Sequence, residues 1–272
     1  MIEITNHILD EQHAKYVESP NHGGKQNMAN VDTIVIHYTA GPSAQSAINT
    51  FKDPNARFKP SAHLVIDFNG GVIQMVPFNV KANHAGESEH LGRKWMNNYS
   101  IGIEIVNAGN LKKVGNRYQA WYGRFYNEDE VIVAKHKNRS KTEFWQIYTE
   151  EQIEIVGEIC KALISCYDIK YIVGHDDIAP NRKTDPGPAF PMVKIQQLLL
   201  GNPRNDEETD SFQEGLTKTV NATTLNIRRE PNLKGKRIVL YDEQQVQVVE
   251  ESGGWAKVRT MVEGWVSSKY LK

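Results

Sequence analysis

A histidine, a lysine and several carboxylates crowd into the segment Gly174 to Phe190, GHDDIAPNRKTDPGPAF, which Pro180, Pro186 and Pro188 stiffen. Each proline sets its own φ and withholds a backbone donor, so the segment reads as a rigid loop, neither a helix interior nor a central strand. In extended backbone, side chains two apart share a direction, which lets Lys183 and Asp185 face one pocket while Thr184 turns away. Histidine among carboxylates on such a loop is half of a metal site, with Asp176, Asp177 and Asp185 all available as oxygen ligands beside His175. Two upstream residues carry chemistry that their surroundings do not explain. His37 lies near the end of the β-branched run Val31 to Ala40, where a lone histidine is ordinarily a satisfied core residue. Glu104 falls inside Tyr99 to Asn107, YSIGIEIVN, on the face of Gly102 and Val106 and opposite Ile101, Ile103 and Ile105. A buried carboxylate has to be paired, metal-bound or neutral, so Glu104 is either structural or a general base whose surroundings raise its pKa.

The elements that must position these residues follow from periodicity. Val31 to Ala40 predicts a central strand with Thr33, Val35 and His37 on one face, and a helix from Ala44 to Phe51 follows it. Ser61 to Asp67, the turn Asn69-Gly70-Gly71 and Val72 to Val76 predict a β-hairpin, in which His63 is a buried, hydrogen-bonded histidine or a direct participant. The loop Asn83-His84-Ala85-Gly86 has a glycine that allows a ligand close to the backbone, which makes Asn83, His84 and Gly86 candidate substrate contacts. Leu111 to Tyr148, rich in aromatic and basic residues, interrupts this rhythm as an insertion, either a surface lobe with its own small core or a wall of the substrate groove. Thr149 and Gln152 form a capping-box pattern ahead of Ile153, Val156, Ile159, Cys160 and Leu163 at helical spacing. The apolar run Tyr171 to Val173 predicts a buried strand that delivers His175 at its end, and Pro191 opens a last helix over Met192 to Leu200.

The chain has 272 residues, enough for one sizeable core and a small second domain. Its net charge of −1 offers no global attraction to nucleic acid or anionic membrane. Cys160 and Cys166 fall on one helix and its end, which excludes a disulfide framework. There is no transmembrane segment, and the polar N-terminus has no Sec-type signal, so a cytoplasmic protein as synthesised is expected. Residues 1–30 suggest an irregular arm, and the acidic, turn-rich stretch 201–216 a linker. From Thr217 to Lys272, short alternating strands spaced by turn residues predict a small β-barrel without a cluster of chemical groups.

His37 in IHYTA, then SAHLVID, the NHAG loop, SIGIEIVN and GHDDIAPNRKTDPGPAF stand in the order of the type-2 N-acetylmuramoyl-L-alanine amidases, which this chain resembles over about residues 30–200. The likeness is to the muropeptide-recycling branch, and 217–272 resembles a bacterial SH3 domain. The resemblance implies an α/β fold, a mixed central sheet flanked by helices like that of peptidoglycan recognition proteins, plus the SH3-like barrel. It implies hydrolysis of the amide between N-acetylmuramic acid and L-alanine in peptidoglycan or muropeptides. It makes His37, His175 and Asp185 ligands of Zn²⁺, Glu104 the catalytic carboxylate and Lys183 the oxyanion stabiliser. The lysine two residues before it favours Asp185 over Asp176 and Asp177. Two imidazoles and a carboxylate suit catalytic zinc, which keeps an open position. The alternative is a non-catalytic peptidoglycan-recognition module, which ordinarily lacks the full ligand set. Wall binding by the SH3-like part would favour polymeric substrate, reached by lysis or a dedicated secretion route.

Overall fold

The polar N-terminal stretch is not an irregular arm. In a computed structural model that describes residues 2–200 and six later strands, it forms β1 (Ile4–Thr5), β2 (Ile8–Leu9), β3 (Ala14–Tyr16) and β4 (His22–Lys25). The sequence signal is weak because these strands are two to four residues long and mostly exposed, too short for any alternation to register. Downstream come β5 (Thr33–Tyr38), α1 (Ala44–Lys52), β6 (Leu64–Ile66), β7 (Val72–Gln74), β8 (Val80–Ala82), β9 (Glu89–His90), β10 (Arg93–Lys94) and β11 (Ser100–Ile105). The inserted region holds β12 (Asn110–Val114), β13 (Arg117–Gln119), β14 (Phe125–Tyr126), β15 (Val131–Lys135) and β16 (Thr142–Gln146). Then follow α2 (Glu150–Cys166), β17 (Tyr171–Gly174), α3 (His175–Ile178) and α4 (Met192–Leu200).

The main sheet is mixed, in the order β17-β5-β11-β6-β7-β3, with β6 and β7 antiparallel and every other neighbouring pair parallel. One face of its central strands is fully apolar. Ile34, Ile36, Ile101, Ile103, Ile105 and Ile172 pack there against Val156, Ile159, Cys160 and Leu163 of α2 and Ile195 of α4. The free thiol of Cys160 is part of that packing, and burial pushes its pKa up to about 12. The opposite face carries Val35 and Val173 in a smaller cluster with Ala85, Met96 and Ile178, and beside it the polar residues of the site. Apolar packing on one side therefore leaves the other free for chemistry.

Register decides what meets on that second face. β5 and β11 run parallel with His37 opposite Glu104, while β17 pairs Gly174 with Ile36, so that His175 follows level with His37. Strands are about 4.8 Å apart, and parallel neighbours in register point their side chains the same way. A row of His175, His37 and Glu104 thus crosses the carboxyl ends of three strands. Immediately after β17 the chain turns into the one-turn helix α3, so the Pro-rich segment opens helically before it becomes a loop.

The chain divides into two compact units, Met1–Asn202 and Pro203–Lys272. The expected linker 201–216 lies outside the described residues. In the second unit the described strands are β18 (Thr217–Thr219), β19 (Thr224–Ile227), β20 (Ile238–Tyr241), β21 (Gln245–Ser252), β22 (Trp255–Arg259) and β23 (Glu263–Ser267). They form an antiparallel sheet β18-β21-β22-β23 and a β19-β20 pair. Among the described residues no helix is long and apolar enough to cross a membrane.

The helix on the apolar face depends on its cap. The hydroxyl of Thr149 accepts from the Gln152 amide at 3.1 Å and donates to the Phe68 carbonyl at 2.7 Å, while the Gln152 side chain accepts from the Thr149 amide at 3.1 Å. Thr149→Ala removes both hydroxyl bonds and is expected to lower stability by about 1–2 kcal/mol, measured as a lower midpoint in urea with unchanged slope.

Candidate metal centre

Three potential ligand atoms converge at the carboxyl ends of β5 and β17. His37 Nδ1, His175 Nδ1 and Asp185 Oδ2 lie 2.9 Å from one another in all three pairings. All three residues are buried. The Nε2–H of His175 donates to the Ala85 carbonyl at 2.9 Å, since a carbonyl can only accept, which leaves a lone pair on Nδ1. That lone pair and the Asp185 carboxylate oxygen are both acceptors at hydrogen-bond distance from each other. Such an arrangement calls for a cation or a proton between them. The donor set of two imidazoles and one carboxylate, with neighbouring atoms within reach of a single ion, fits zinc.

Electrostatics of the group agree with this. Burial raises the pKa of Asp185, but the two imidazoles of His175 and His37 that flank it favour the charged form and hold the carboxyl well below the usual range. Burial, reinforced by repulsion from His175, holds His37 down to about 4, so its ring is neutral and available as a ligand near pH 7. Glu104 shows the opposite behaviour. Its Oε2 is enclosed without a hydrogen-bond partner, and burial, with the Asp185 charge adding to it, pushes its pKa up to about 8 against the pull of Lys183. Lys183 stands half-buried two residues before Asp185. The structure thus brings together His37, Glu104, His175, Lys183 and Asp185.

Asp176 and Asp177 point elsewhere. Asp177 Oδ2 accepts from the Gly174 amide at 2.7 Å, and Asp176 pairs with His136 Nε2 at 3.0 Å and Lys137 Nζ at 2.8 Å. The Asn138 side chain adds a 2.7 Å bond to the Asp176 carbonyl. These three partners come from the turn that follows β15. The inserted strands form their own sheet, β14-β13-β12-β16-β15, over a small core of Leu111, Tyr118, Ala120 and Tyr126. At its inner end this lobe grips the metal loop. The Tyr148 hydroxyl donates to the Pro186 carbonyl at 2.8 Å, and the Tyr38 and Thr184 hydroxyls are 2.6 Å apart. Little in the sequence points to His136, which sits in the run KHKN, a typical solvated pattern, yet is fully buried and stacked on Trp145.

The NHAG loop is held by internal contacts. His84 has both ring nitrogens engaged, Nδ1 with His37 Nε2 at 2.9 Å and Nε2 with Ser100 Oγ at 3.3 Å, so it offers no free polar atom to a substrate. The Asn83 amide group donates to the Lys59 carbonyl at 3.0 Å. Gly86, at φ +58°, lies beneath Arg182, whose guanidinium donates to the carbonyls of Ala85 and Glu87. Of the three candidate substrate contacts, Asn83 and His84 thus take part in internal hydrogen bonds and Gly86 lies against Arg182. His63 is likewise internal, accepting from the Gly102 amide and donating to the Val80 carbonyl.

The profile of the N-acetylmuramoyl-L-alanine amidase family matches residues 27–188, more than half of the chain. This chain belongs to that amidase family. A bacterial SH3 domain profile matches residues 223–272. Among relatives of the amidase, the 1,6-anhydro-N-acetylmuramyl-L-alanine amidase AmpD of Escherichia coli is 30% identical over 203 residues, covering 68% of this chain and 92% of its own length. The N-acetylmuramoyl-L-alanine amidase AmiD of the same organism is 32% identical over 180 residues, 63% of this chain and 54% of that protein. A crystal structure of a selenomethionine derivative of AmpD superimposes with a TM-score of 0.53 at 27% identity, covering 72% of this chain and 98% of the other. The amidase is a hydrolase, and its mixed sheet with flanking helices is the architecture of that relative.

The raised pKa of Glu104 has a thermodynamic consequence in the metal-free amidase. A carboxyl that ionises near 8 in the fold and near 4.5 when unfolded stabilises the fold fully below pH 4.5, and this contribution is lost as pH rises towards 8. Glu104→Gln cannot ionise. It is expected to match wild type below pH 4.5 and to exceed it by roughly 3–5 kcal/mol above pH 8, read from urea unfolding across that range after removal of metal.

Proposed function

We propose that this protein hydrolyses the amide between N-acetylmuramic acid and L-alanine with one zinc ion held by His37, His175 and Asp185. The observation that carries the reading is the meeting of three potential ligand atoms at 2.9 Å beside a carboxyl whose Oε2 has no hydrogen-bond partner. Zinc bound there supplies Lewis-acid polarisation of the scissile carbonyl and makes water a usable nucleophile near neutral pH. Glu104 is the proton carrier. An enclosed carboxyl with a pKa near 8 is matched to taking a proton from water and returning it to the departing amine of L-alanine. Lys183 would offer its ammonium to the amide oxygen as that oxygen gains charge, and its half-buried setting would strengthen the interaction relative to bulk water. The loop around Asp185 is tied by the Asp176 amide, which donates to the Asp185 carbonyl at 2.8 Å, so the carboxylate and Lys183 are held as one unit.

The second unit extends this reading to polymeric wall. A bacterial SH3 match over residues 223–272, apart from the amidase region, suits an anchor that raises the local concentration of the enzyme on a repeating polymer. Cleavage of soluble muropeptides would not depend on it. Its substrate in the cell would then be the wall, reached after lysis or through a dedicated export route.

The purified chain is expected to hold about one zinc by elemental analysis and to lose activity with chelator, recovering on zinc addition. Glu104→Ala and Lys183→Ala should keep the metal and lose at least about 10²-fold in kcat, whereas His37→Ala, His175→Ala and Asp185→Ala should lose the metal itself. Wild-type turnover in the Glu104 variant, or stoichiometric zinc in the Asp185 variant, contradicts these assignments. A chain ending at Leu200 should retain its rate on a soluble muropeptide and lose most of its activity on insoluble sacculi. Equal activity on sacculi refutes anchoring.

A further inference from the structure

We infer that His84 is a positioning residue that fixes the tautomer of His37, with Ser100 and Gly102 holding it in place, so that His37 offers Nδ1 and never Nε2 to the metal. The inference rests on the metal reading proposed above. Its starting point is a hydroxyl whose proton is already committed. Ser100 Oγ lies 2.6 Å from the Met96 carbonyl, and a carbonyl can only accept, so the Ser100 hydrogen is spent there. Towards His84 the same oxygen must accept, and His84 Nε2, 3.3 Å away, is therefore the nitrogen that carries the proton. A neutral imidazole protonated on Nε2 presents a lone pair on Nδ1. That Nδ1 is 2.9 Å from His37 Nε2, which has to donate to it. With its proton on Nε2, His37 is left with a lone pair on Nδ1, the atom that meets His175 and Asp185. One chain of donors thus runs from His37 through His84 and Ser100 to a backbone carbonyl. His175 reaches the same state in a single step, through the Ala85 carbonyl.

The packing around His84 is built for this purpose. A Cβ added to Gly102 would stand 2.4 Å from His84 Cγ and 2.6 Å from Nδ1, so the ring lies flat against the backbone of β11 in space that only glycine leaves. Gly102 has no positive φ to demand glycine, and the reason for it is this contact. The loop that carries the ring is fixed as well, because the amides of His84 and Ala85 both donate to Asn97 Oδ1, at 3.1 and 2.7 Å. Ser100, Gly102 and Glu104 alternate along one face of β11, so a single strand supplies the end of the relay, the cradle and the partnerless carboxyl. An outer partner that orients a ligating histidine typically contributes 10–100-fold in metal affinity.

The experiment compares Ser100→Ala, Gly102→Ala, His84→Ala and His84→Asn with wild type in the full chain, by zinc dissociation constant against a chelating indicator. A second readout is the His37 Nε2–H proton in spectra of the zinc-loaded, ¹⁵N-labelled protein. Ser100→Ala, Gly102→Ala and His84→Ala should each weaken zinc binding by about 10–100-fold and expose the His37 Nε2–H to fast solvent exchange. His84→Asn, whose amide oxygen can stand where Nδ1 stood, should stay within a few-fold of wild type and keep that proton protected. A protected Nε2–H and a zinc constant within twofold of wild type in both Ser100→Ala and His84→Ala overturn the relay. Should Gly102→Ala fail to fold, those two variants decide alone. Absence of zinc binding in wild type would instead sink the metal reading, a result separate from failure of the relay.

Discussion

The convergence of two imidazoles and a carboxylate in a buried pocket is the constraint on which this molecule turns. Two imidazole nitrogens and a carboxylate oxygen within 2.9 Å of one another need a cation or a shared proton among them, because burial removes the water that would otherwise solvate them. The surroundings hold this arrangement in place. Each histidine spends its second nitrogen on the protein, Asp185 is tied through its backbone to Asp176, and Asp176 is clamped by His136, Lys137 and Asn138.

The sheet makes the arrangement possible at small cost in precision. Three parallel strands put their carboxyl ends on one edge, and the register of β17, β5 and β11 sets His175, His37 and Glu104 level with one another. Isoleucines on the reverse face, packed on α2 and α4, lock that register, because a slip by one residue would turn the apolar set to the site and the polar set into the core. Hydrophobic packing and catalytic placement are two faces of the same alternation.

The inserted lobe extends the same logic outward. It carries its own small core, so its inner end can be rigid, and that end presents a buried histidine and a lysine to Asp176. Burial raises the pKa of Asp176 against the pull of the exposed Lys137, so that loss of its partners would leave a buried carboxylate uncompensated. The lobe thereby supports the metal loop from behind.

Much of this was legible in sequence. Alternation in TIVIHY and SIGIEI determined the strands and which face each residue takes, because a two-residue period survives any packing partner, and the capping box of Thr149 with Gln152 marked the start of α2. The grouping of His37, Glu104, His175, Lys183 and Asp185 was what the resemblance to the amidase family, carried by the order of its motifs, implied. What sequence left undecided depended on hydrogen-bond direction and on contacts far apart in the chain. His84 reads as a loop histidine beside a glycine, and only the Ser100 hydroxyl 16 residues away, with its proton committed to Met96, turns it towards His37. His136 reads as a solvated residue among lysines, and only the fold buries it against Asp176, 40 residues on. Local pattern reports the face on which a side chain lies; which atom donates to which is settled only when distant segments meet, since a polar group's role depends on the proton its partner has already given away.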